Sequence, residues 1–563
     1  MHIGTRHLDT QRSYSKGKSA PALLTETIGN YFDRIVAQFP TNEALVVRYQ
    51  QKNAQPTRLT YQALQQKVDC YAKALLALGV QKGERVGIWA PNGIQWCISQ
   101  LATAKIGAIL IGINPAFQRH EIEYVLQQSQ CNWLIAADAF ITHNYTQILY
   151  QLIPELLLAA KPLNSERLPD LQAIITLSEE PRIGMIQWRT LPQLAETITA
   201  DELSTRQQQV AIQDPVTIQY TSGTTGFAKG ATLSHFNILN NGFFVTENMR
   251  FSKQDRVVIP LPLHHCLGMV VSTLGCITHG ATMIFPGELF SPLSVLTAVT
   301  EEKATVLHGT PSMFVAELNH PQFELFDLSS LRTGMVCGAP CPPEIVHAVI
   351  DKMHIPEIQI AYGMTETGPI SSQIKADDPV DKRVNTVGRT LPHLENKIID
   401  TQGNTVARGE IGEICTRGYS VMLGYWHNAE ATTTILDAQG WIHSGDLATM
   451  DDQGYIHIVG RLKDMIIRGG ENIYPREIED FLHTHPAVAD VQVTGTPSEK
   501  FGEEVVAWII LKTGCTLTEH DIKRFCKGHI ADYKIPRFVR FVTEYPMTAT
   551  GKVQKSKLDI QCS

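Results

Sequence analysis

Apolar residues recur at helical spacing between Leu64 and Leu75, directly after Thr60. This period predicts an amphipathic helix that Thr60 caps and Gly79 ends. Short apolar runs predict strands at 85–92, 109–114 and 132–137, with a helix at 120–130. The alternation of strands with helices indicates a mostly parallel sheet with helices on both faces.

The pattern changes twice along the rest of the chain. It predicts a strand at 216–220, a helix after Ser234, and alternating strands and helices from about 256 to 370. From about 386 to 460, short strands alternate with turn segments such as DAQG and DDQG, which predicts a smaller β-rich subdomain. A compact tail follows GRLKD (460–464), where we place a domain boundary.

Composition excludes several classes of protein. The chain has 563 residues, of which 43% are hydrophobic and 18% charged, as in ordinary globular proteins. A net charge of -8 without a long Lys/Arg run argues against a nucleic-acid partner. Its 11 cysteines form no C-x-x-C pair, which argues against a disulfide framework or a zinc site.

No apolar run reaches the roughly 20 residues that a membrane-spanning helix needs, so we expect no integral membrane segment. The first twenty residues are mildly basic and contain no apolar stretch, which argues against a secretory signal. A homodimer is compatible with the sequence.

The richest cluster of hydrogen-bond donors is TSGTTGFAKG (221–230), directly after the strand predicted at 216–220. Its glycines allow backbone N–H groups to turn toward a phosphate, its hydroxyls donate, and Lys229 adds positive charge. A flexible Ser/Thr/Gly loop is the alternative. A Walker A loop is disfavoured because the Gly-Lys-Ser/Thr ending is missing. The predicted phosphate ligands are Thr221, Ser222, Gly223, Thr224, Thr225, Gly226 and Lys229.

This loop resembles the phosphate loop of the adenylate-forming superfamily, which contains acyl-CoA synthetases, peptide-synthetase adenylation domains and luciferases. Ala228 stands where that loop usually has proline. Further motifs resemble the family's in the same order along the chain: PLHHCLGM (262–269), CGAP (337–340), AYGMTETG (361–368), HSGDLA (443–448), GRLKDMIIRGGENIYPREIE (460–479) and PMTATGKVQK (546–555). The resemblance therefore covers nearly the whole chain.

The resemblance implies an α/β fold with a large N-terminal domain of doubly wound sheets and a small, mobile α+β C-terminal lid. The expected domains are residues 1–462, including the β-rich part, and 463–563, with the hinge at Lys463. It also implies ATP, Mg²⁺ and coenzyme A as cofactor and co-substrates.

Each motif contributes residues with an expected role. Lys552 is the implied catalytic lysine, whereas Lys555 and Lys557 are expected to be solvated. Thr365 donates to the α-phosphate, and Glu366 is the metal ligand through its oxygens. The remaining expected ligands are His265 for the carboxylate or α-phosphate, Gly338, Ala339 and Pro340 beside adenine, Tyr362 stacked on adenine, Asp446 and Arg461 at the ribose, and Arg468, Gly469 and Gly470 toward coenzyme A. From the residues alone, a surface turn around Glu366 and a solvated Lys552 are competing explanations.

The reaction implied is ATP-dependent activation of a fatty acid to its acyl-adenylate, followed by transfer to coenzyme A. The segments RGYSVMLGYW (417–426) and SHFNILNN (234–241) look closest to the medium-chain acyl-CoA synthetases grouped as family member 2. That type predicts a cytoplasmic protein in bacteria, or a mitochondrial matrix protein in a eukaryote.

Other carboxylate substrates remain open, including aryl acids. An adenylation enzyme that loads a carrier protein is a second alternative, although no carrier segment is fused to this chain. A luciferase-type oxygenase would share only the first half-reaction, and the C-terminal IQCS is not the Ser-Lys-Leu peroxisomal signal. A non-enzymatic binding protein would be expected to lack Lys552 or Glu366, and both are present.

Overall fold

The structure is a computed structural model that describes residues 11–48, 55–141, 143–158, 163–221, 228–339, 341–469, 471–498, 500–547 and 553–558. Within these residues, two large sheets, a smaller antiparallel sheet and a C-terminal sheet form the fold. We call them the first, second, third and C-terminal sheets.

The first sheet is parallel in its centre and antiparallel at both edges. Its described strands, in spatial order, are Arg389–Thr390, Ile370–Gln373, Glu357–Gly363, Thr333–Val336, Val306–Gly309, Arg256–Val258, Thr282–Phe285, Glu43–Val47 and Thr57–Thr60.

The second sheet contains the predicted β-α-β region. Its described strands, in spatial order, are Ile186–Gln187, Ala173–Thr176, Trp133–Ala136, Arg85–Trp89, Ile109–Ile113, Pro215–Thr221, Lys229–Ser234 and Gly424–Tyr425. The strand Lys229–Ser234 was not predicted. It pairs antiparallel with Pro215–Thr221, so the donor-rich loop connects two hydrogen-bonded strands.

Helices fill the space between and around these sheets. The α-helices among the described residues are Ile28–Gln38, Tyr61–Ala77, Ile94–Ile106, Arg119–Gln128, Tyr145–Leu152, Leu191–Ala195, Ala200–Gln208, His235–Asn248, Gly275–His279, Pro292–Glu302, Pro311–Leu318, Pro343–Lys352, Val380–Asn385, Ala429–Ile435, Pro475–His483, Glu519–Cys526 and Lys555–Leu558. A π-helix covers Leu267–Leu274, and short 3₁₀ turns cover Pro154–Leu158, Trp188–Thr190, Phe323–Leu325, Thr365–Thr367, Leu462–Asp464 and Asp532–Lys534. None of the helices in the described ranges is both long and apolar enough to cross a bilayer.

The main core is shared by the first two sheets. The helix Ile94–Ile106 is buried from Trp96 onward, because its apolar residues surround the axis instead of forming one stripe. Its one basic residue, Lys105, is 2% exposed and forms ion pairs of 2.5 Å with Asp33 and Asp69. These two carboxylates compensate a charge that would be costly to bury alone.

The third sheet confirms strands within the region predicted to be β-rich and adds one from the N-terminal end of the chain. Its described strands are Tyr14–Lys16, Leu394–Ile399, Gly412–Gly418, Ile442–Met450 and Ile456–Arg461, in that spatial order. Tyr14–Lys16 is too short and too polar to be recognised from its pattern. It is held by a 2.6 Å hydrogen bond from the Tyr14 hydroxyl to Glu395.

The C-terminal unit has a hydrophobic core of its own, built from residues between Ile466 and Val539. Its sheet contains Glu471–Ile473, Ile466–Arg468, Gly502–Leu511 and Val488–Ser498, with Phe538–Phe541 parallel to Gly502–Leu511. Pro475–His483 and Glu519–Cys526 are helices of this unit. The predicted fold, a mixed α/β chain with a small C-terminal α+β unit, is therefore confirmed.

Candidate active site

The carboxyl edge of the first sheet gathers several of the predicted site residues. The strands Arg256–Val258, Thr333–Val336 and Glu357–Gly363 run parallel and end at this edge. The segments that contain His265, Gly338 and Thr365 follow those strands in turn. Ligands of open α/β sheets bind in the crevice outside the carboxyl ends of the strands, which is where these segments lie.

His265 and Thr365 are brought together through Cys266. The sulfur of Cys266 lies 3.6 Å from the Thr365 hydroxyl oxygen. His265 Nδ1 accepts a 3.2 Å hydrogen bond from the backbone N–H of Leu267, which places the proton of a neutral imidazole on Nε2. The π-helix begins at Leu267, a departure from α-helical geometry that is frequent at functional sites.

Two glycines pack against this segment. A Cβ on Gly112 would lie 3.1 Å from the backbone oxygen of His264, so the missing side chain lets the PLHHCLGM segment approach the second sheet. A Cβ on Gly338 would lie 3.4 Å from Leu267. The CGAP turn therefore lies beside the histidine segment, and Ala339 is the next residue of that turn. Its place beside adenine stays a prediction.

Glu366 is held by hydroxyl groups in a buried position. Its side chain accepts a 2.7 Å hydrogen bond from the Tyr425 hydroxyl, and the Thr221 hydroxyl lies 3.5 Å from the same oxygen. Glu366 is 5% exposed, and its backbone oxygen accepts from the N–H of Met422. The surface-turn explanation is therefore wrong: Glu366 lies against the strand that leads into the donor-rich loop.

The ends of that loop are fixed by the antiparallel pair of strands. Thr221 and Lys229 are directly opposite each other in the register. The Tyr124 hydroxyl donates a 2.9 Å hydrogen bond to the Ala228 carbonyl, and the Lys229 ammonium lies 5.2 Å from the centre of the Tyr425 ring. A cation and hydroxyl donors thus stand beside Glu366, an arrangement suited to a polyphosphate with a divalent cation.

The third sheet contributes Asp446 next to Tyr362. The Tyr362 hydroxyl donates a 2.8 Å hydrogen bond to Asp446 Oδ2, and Arg461 Nε lies 3.1 Å from Asp446 Oδ1. Burial, together with the Asp446 charge, raises the pKa of Tyr362 well above its usual value, so the phenol stays a donor at neutral pH. The three side chains predicted from separate motifs are therefore in direct contact.

Asp446 is presented by an irregularity in the strand Ile442–Met450. Glu413 is opposite Leu447 and Cys415 is opposite His443, so the register shifts between these pairs. Gly445 adopts a φ of 69°, a conformation that favours glycine, and its N–H donates to Glu413 at 2.8 Å. Such bulges redirect side chains next to active sites.

The hinge and coenzyme A candidates lie where the C-terminal unit begins. Lys463 is exposed in the turn Leu462–Asp464. Arg468 forms a 2.6 Å ion pair with Glu504 and stacks over Phe501 at 4.4 Å, while the N–H of Gly469 donates to the Phe501 carbonyl at 2.7 Å. Arg468 is therefore paired within its own unit, and its role toward coenzyme A stays a prediction.

Several predicted site residues lie outside the described residues: Ser222, Gly223, Thr224, Thr225, Gly226, Pro340, Gly470 and Lys552. The neighbouring expectation for Lys555 is wrong. Its ammonium forms a 2.6 Å ion pair with Glu479, which is 6% exposed, and donates to the Val493 carbonyl at 3.1 Å. Lys557 is exposed, as expected.

Sequence reasoning missed three residues that shape the site: Tyr425, Cys266 and Glu413. Tyr425 was quoted only as part of RGYSVMLGYW, yet it donates to the predicted metal ligand. Cys266 was an unremarked member of PLHHCLGM, and Glu413 lies thirty residues before His443. The turn-forming pair Ser444-Gly445 before Asp446 was the one signal in the sequence that this turn needs another residue to fix it.

The residues present fit a magnesium ion. Mg²⁺ is usually bound through one or two carboxylates together with substrate phosphates. Glu366 supplies a buried carboxylate beside Thr221 and the ends of the donor-rich loop. Glu366 is thus the described residue that would hold the ion.

Comparison with known proteins identifies the family. A family model described as "AMP-binding enzyme" matches residues 32–426, and one described as "AMP-binding enzyme C-terminal domain" matches residues 477–552. The chain belongs to the AMP-binding enzyme family, the adenylate-forming class that its motifs resemble.

Individual relatives are similar over almost the full chain. A Bacillus subtilis (strain 168) protein, YngI, named provisionally as an acyl-CoA synthetase, is 48% identical and covers 95% of this chain and 97% of its own length. The human mitochondrial medium-chain acyl-CoA ligase ACSF2 is 43% identical, with 97% of this chain and 89% of that protein covered. The crystal structure of the anthranilate CoA ligase AuaEII with anthranoyl-AMP matches with a TM-score of 0.83 at 27% identity, covering 97% and 98% of the two chains.

Proposed function

We propose that this protein is an AMP-forming acyl-CoA ligase that converts a fatty acid, ATP and coenzyme A into acyl-CoA, AMP and pyrophosphate. One observation carries the proposal: the hydroxyl of Thr221, at one end of the donor-rich loop, lies 3.5 Å from the buried Glu366 of the other sheet, and Lys229 is opposite Thr221 at the other end of the loop. A carboxylate beside phosphate donors is what adenylation of an acid by ATP requires.

The first half-reaction is attack of the acid's carboxylate on the α-phosphorus of ATP, with pyrophosphate as the leaving group. Two anions must approach each other, so positioning and electrostatic stabilisation supply most of the catalysis. Thr365 donates to the α-phosphate and Lys229 balances the departing pyrophosphate. Mg²⁺, when bound, neutralises phosphate charge. His265, with its proton on Nε2, can donate to the carboxylate or to an α-phosphate oxygen.

Ribose recognition is assigned to Asp446. A carboxylate can accept hydrogen bonds from two neighbouring hydroxyls. Tyr362 and Arg461 hold both of its oxygens, which fixes the carboxylate before the nucleotide arrives. We propose that the ring of Tyr362 contacts adenine together with Gly338 and Ala339.

In the second half-reaction, the thiol of coenzyme A attacks the acyl carbonyl and AMP leaves. We propose that the domain boundary lies at Lys463 and that residues 463–563 rotate there between the two half-reactions. The exposed turn Leu462–Asp464 and the separate core of the C-terminal unit support this. Lys552 serves adenylation, and the segment with Arg468, Gly469 and Gly470 serves the thioester step.

Medium-chain fatty acids are the proposed substrates because the most similar curated relatives include the medium-chain ligase ACSF2 at 43% identity. An aryl acid is the second candidate, favoured by the likeness to the anthranilate ligase at 27% identity. The higher identity favours the fatty acid. We further propose a cytoplasmic location if the source is bacterial and the mitochondrial matrix if it is eukaryotic. A homodimer stays a prediction.

The decisive experiment measures pyrophosphate release and thioester formation with C2–C18 fatty acids and a panel of aryl acids, with and without coenzyme A. We expect the highest kcat/KM for medium chains and thioester only when coenzyme A is present. Preference for anthranilate-type acids would shift the proposal to an aryl-CoA ligase. Transfer to a carrier protein but not to coenzyme A would overturn it.

A further inference from the structure

Three side chains with metal-binding atoms meet on the third sheet, apart from the groups assigned to catalysis. They are Glu413, Cys415 and His443, and one potential ligand atom from each lies within 4.8 Å of the others. Cys415 and His443 face each other across two antiparallel strands, and Glu413 is two positions from Cys415. Neighbouring strands therefore bring together residues whose spacing in the sequence gave no zinc signal.

Two of the three separations are near those expected around one tetrahedral ion, and the third pair of ligand atoms lies within 4.8 Å. His443 Nδ1 lies 3.0 Å from Glu413 Oε2 and 3.6 Å from the Cys415 sulfur. Zinc bonds of about 2.0–2.3 Å to nitrogen, oxygen and sulfur place neighbouring ligands of a tetrahedron roughly 3.4–3.6 Å apart. The Cys415 sulfur and His443 Nδ1 stand at this separation, and Nδ1 and Glu413 Oε2 would move apart by a few tenths of an ångström to share an ion.

A carboxylate lies on the opposite side of the imidazole, slightly beyond hydrogen-bonding distance. Asp437 Oδ2 lies 3.8 Å from His443 Nε2. The other oxygen of Asp437 accepts backbone N–H groups of Gln439 and Trp441, which anchors the carboxylate in its turn. A carboxylate behind a ligating histidine fixes the ring and raises its basicity.

The charge and exposure of the cluster suit a soft divalent cation. Cys415 is fully buried whereas the His443 and Glu413 side chains are 31% and 19% exposed, so the cluster opens on one side toward solvent. Two anionic ligands, a carboxylate and a thiolate, would balance the ion's charge. Positive charge lies close to the cluster, because Lys397 is opposite Cys415 in the register and stacks, like Arg417, on Trp441 just before the strand Ile442–Met450.

We propose that Glu413, Cys415 and His443 form a binding site for Zn²⁺ or a similar thiophilic divalent ion, with water in the fourth position. On binding, the Cys415 thiol releases its proton to solvent, the imidazole proton moves from Nδ1 to Nε2 on the side of Asp437, and the sulfur–metal and Nδ1–metal bonds form. A cysteine binds a metal ion as its thiolate, so binding releases a proton.

The proposed site is linked to the bulge that presents Asp446. Glu413 would bind the ion through one oxygen while its other oxygen accepts from the N–H of Gly445 at 2.8 Å. An ion would thus fix the Glu413 carboxylate that holds the bulge. The proposal rests on the cluster's geometry and is independent of which acid the enzyme activates.

The test is a Co²⁺ titration of the full-length protein after treatment with a chelator, because Co²⁺ gives a thiolate charge-transfer absorption when a cysteine binds it. We expect the band to saturate at one equivalent and to be displaced by Zn²⁺. Cys415→Ser should abolish the band, and Asp437→Asn should weaken affinity on the order of tenfold. Melting temperature and circular dichroism of each variant check folding.

Cys515→Ser is the matched control, since Cys515 is an exposed cysteine in the C-terminal unit and should not contribute. A band that survives in Cys415→Ser, or that disappears in Cys515→Ser, overturns the proposal. So does the absence of any band in the wild type, which would identify the cluster as a hydrogen-bonded triad only. If Cys415→Ser fails to fold, the same outcomes are read from His443→Gln.

Discussion

The nucleotide side of the molecule and the C-terminal unit hold their functional side chains in different ways. On the nucleotide side, Glu366 is tied to Tyr425 and Asp446 to Tyr362, so the predicted ligands contact one another across different motifs. In the C-terminal unit, the Arg468 side chain is paired with Glu504 of that unit's own sheet.

The difference distinguishes side chains that are held in place before substrate binds from side chains that would reach the substrate only after a movement. The nucleotide side is preorganised, because each carboxylate that should contact substrate already has a hydroxyl or guanidinium partner that fixes its position. In the C-terminal unit, Arg468 and Lys555 are paired with Glu504 and Glu479 of the same unit. The rotation proposed at Lys463 would therefore leave both ion pairs intact.

The largest effect is expected for Lys552→Ala, which removes the lysine assigned to adenylation. We expect acyl-adenylate formation to fall on the order of 10²–10³-fold, since one stabilising contact to the transition-state charge is removed. Thioester formation from synthetic acyl-adenylate should be spared, because the nucleotide side is intact. Single-turnover assays of both half-reactions decide it, and equal losses with a folded protein would contradict the assigned role.

A smaller effect is expected for Tyr425→Phe. Loss of a hydrogen bond to a charged group costs about 1.5–3 kcal/mol, so kcat/KM for ATP should fall roughly tenfold or more and the Mg²⁺ requirement should rise. Tyr419→Phe is the control, because that buried hydroxyl contacts Asn241 instead of Glu366. If both variants lose activity equally, Tyr425 does not act through the carboxylate.

For the C-terminal unit, Arg468→Ala should raise KM for coenzyme A by roughly tenfold, the loss expected for one charge-assisted contact. ATP–pyrophosphate exchange should be unchanged, since adenylation does not use this segment. Arg524→Ala, which removes an exposed arginine paired with Asp521, should change neither rate. A loss of exchange activity in Arg468→Ala would show that the residue supports the fold and not the thioester step.

The smallest effect concerns stability below neutral pH. His308 is fully buried, and burial lowers its pKa to about 4. The unfolded chain, with an ordinary histidine pKa near 6.5, binds the proton between these values, so the free energy of unfolding decreases as the pH falls from about 6.5 toward 4. His308→Phe should remove up to roughly 1.4 kcal/mol per pH unit of this dependence.

Urea unfolding at several pH values measures this slope for the wild type and the variant. His235 and His264, whose pKa values are also lowered by burial to about 4, should keep part of the dependence in His308→Phe. His347→Phe, which replaces an exposed histidine, is the control and should leave the slope unchanged. An unaltered slope in His308→Phe would mean that the buried imidazole is already protonated in the folded state.

The sequence predicted the elements whose pattern is local. Thr60 accepts from the N–H of Ala63 and caps the predicted helix, and the strands near 85, 109 and 133 form where their apolar runs stand. Asp446, Tyr362 and Glu366 were found because each belongs to a motif. Tyr425, Glu413 and the pairing of Lys555 with Glu479 were not found, because a partner's identity depends on contacts between segments distant in the chain.

The strand Tyr14–Lys16 completes an edge of the third sheet, and its contact from Tyr14 to Glu395 joins residues 381 positions apart. At a ribosomal speed of roughly 5–20 residues per second, the partner emerges roughly 20–80 s after the strand itself. Throughout that interval, the first described segment of the chain has no sheet to join. The late pairing of this strand therefore makes folding of the protein in a cell sensitive to the rate of synthesis and to capture by chaperones. It has no direct effect on catalysis.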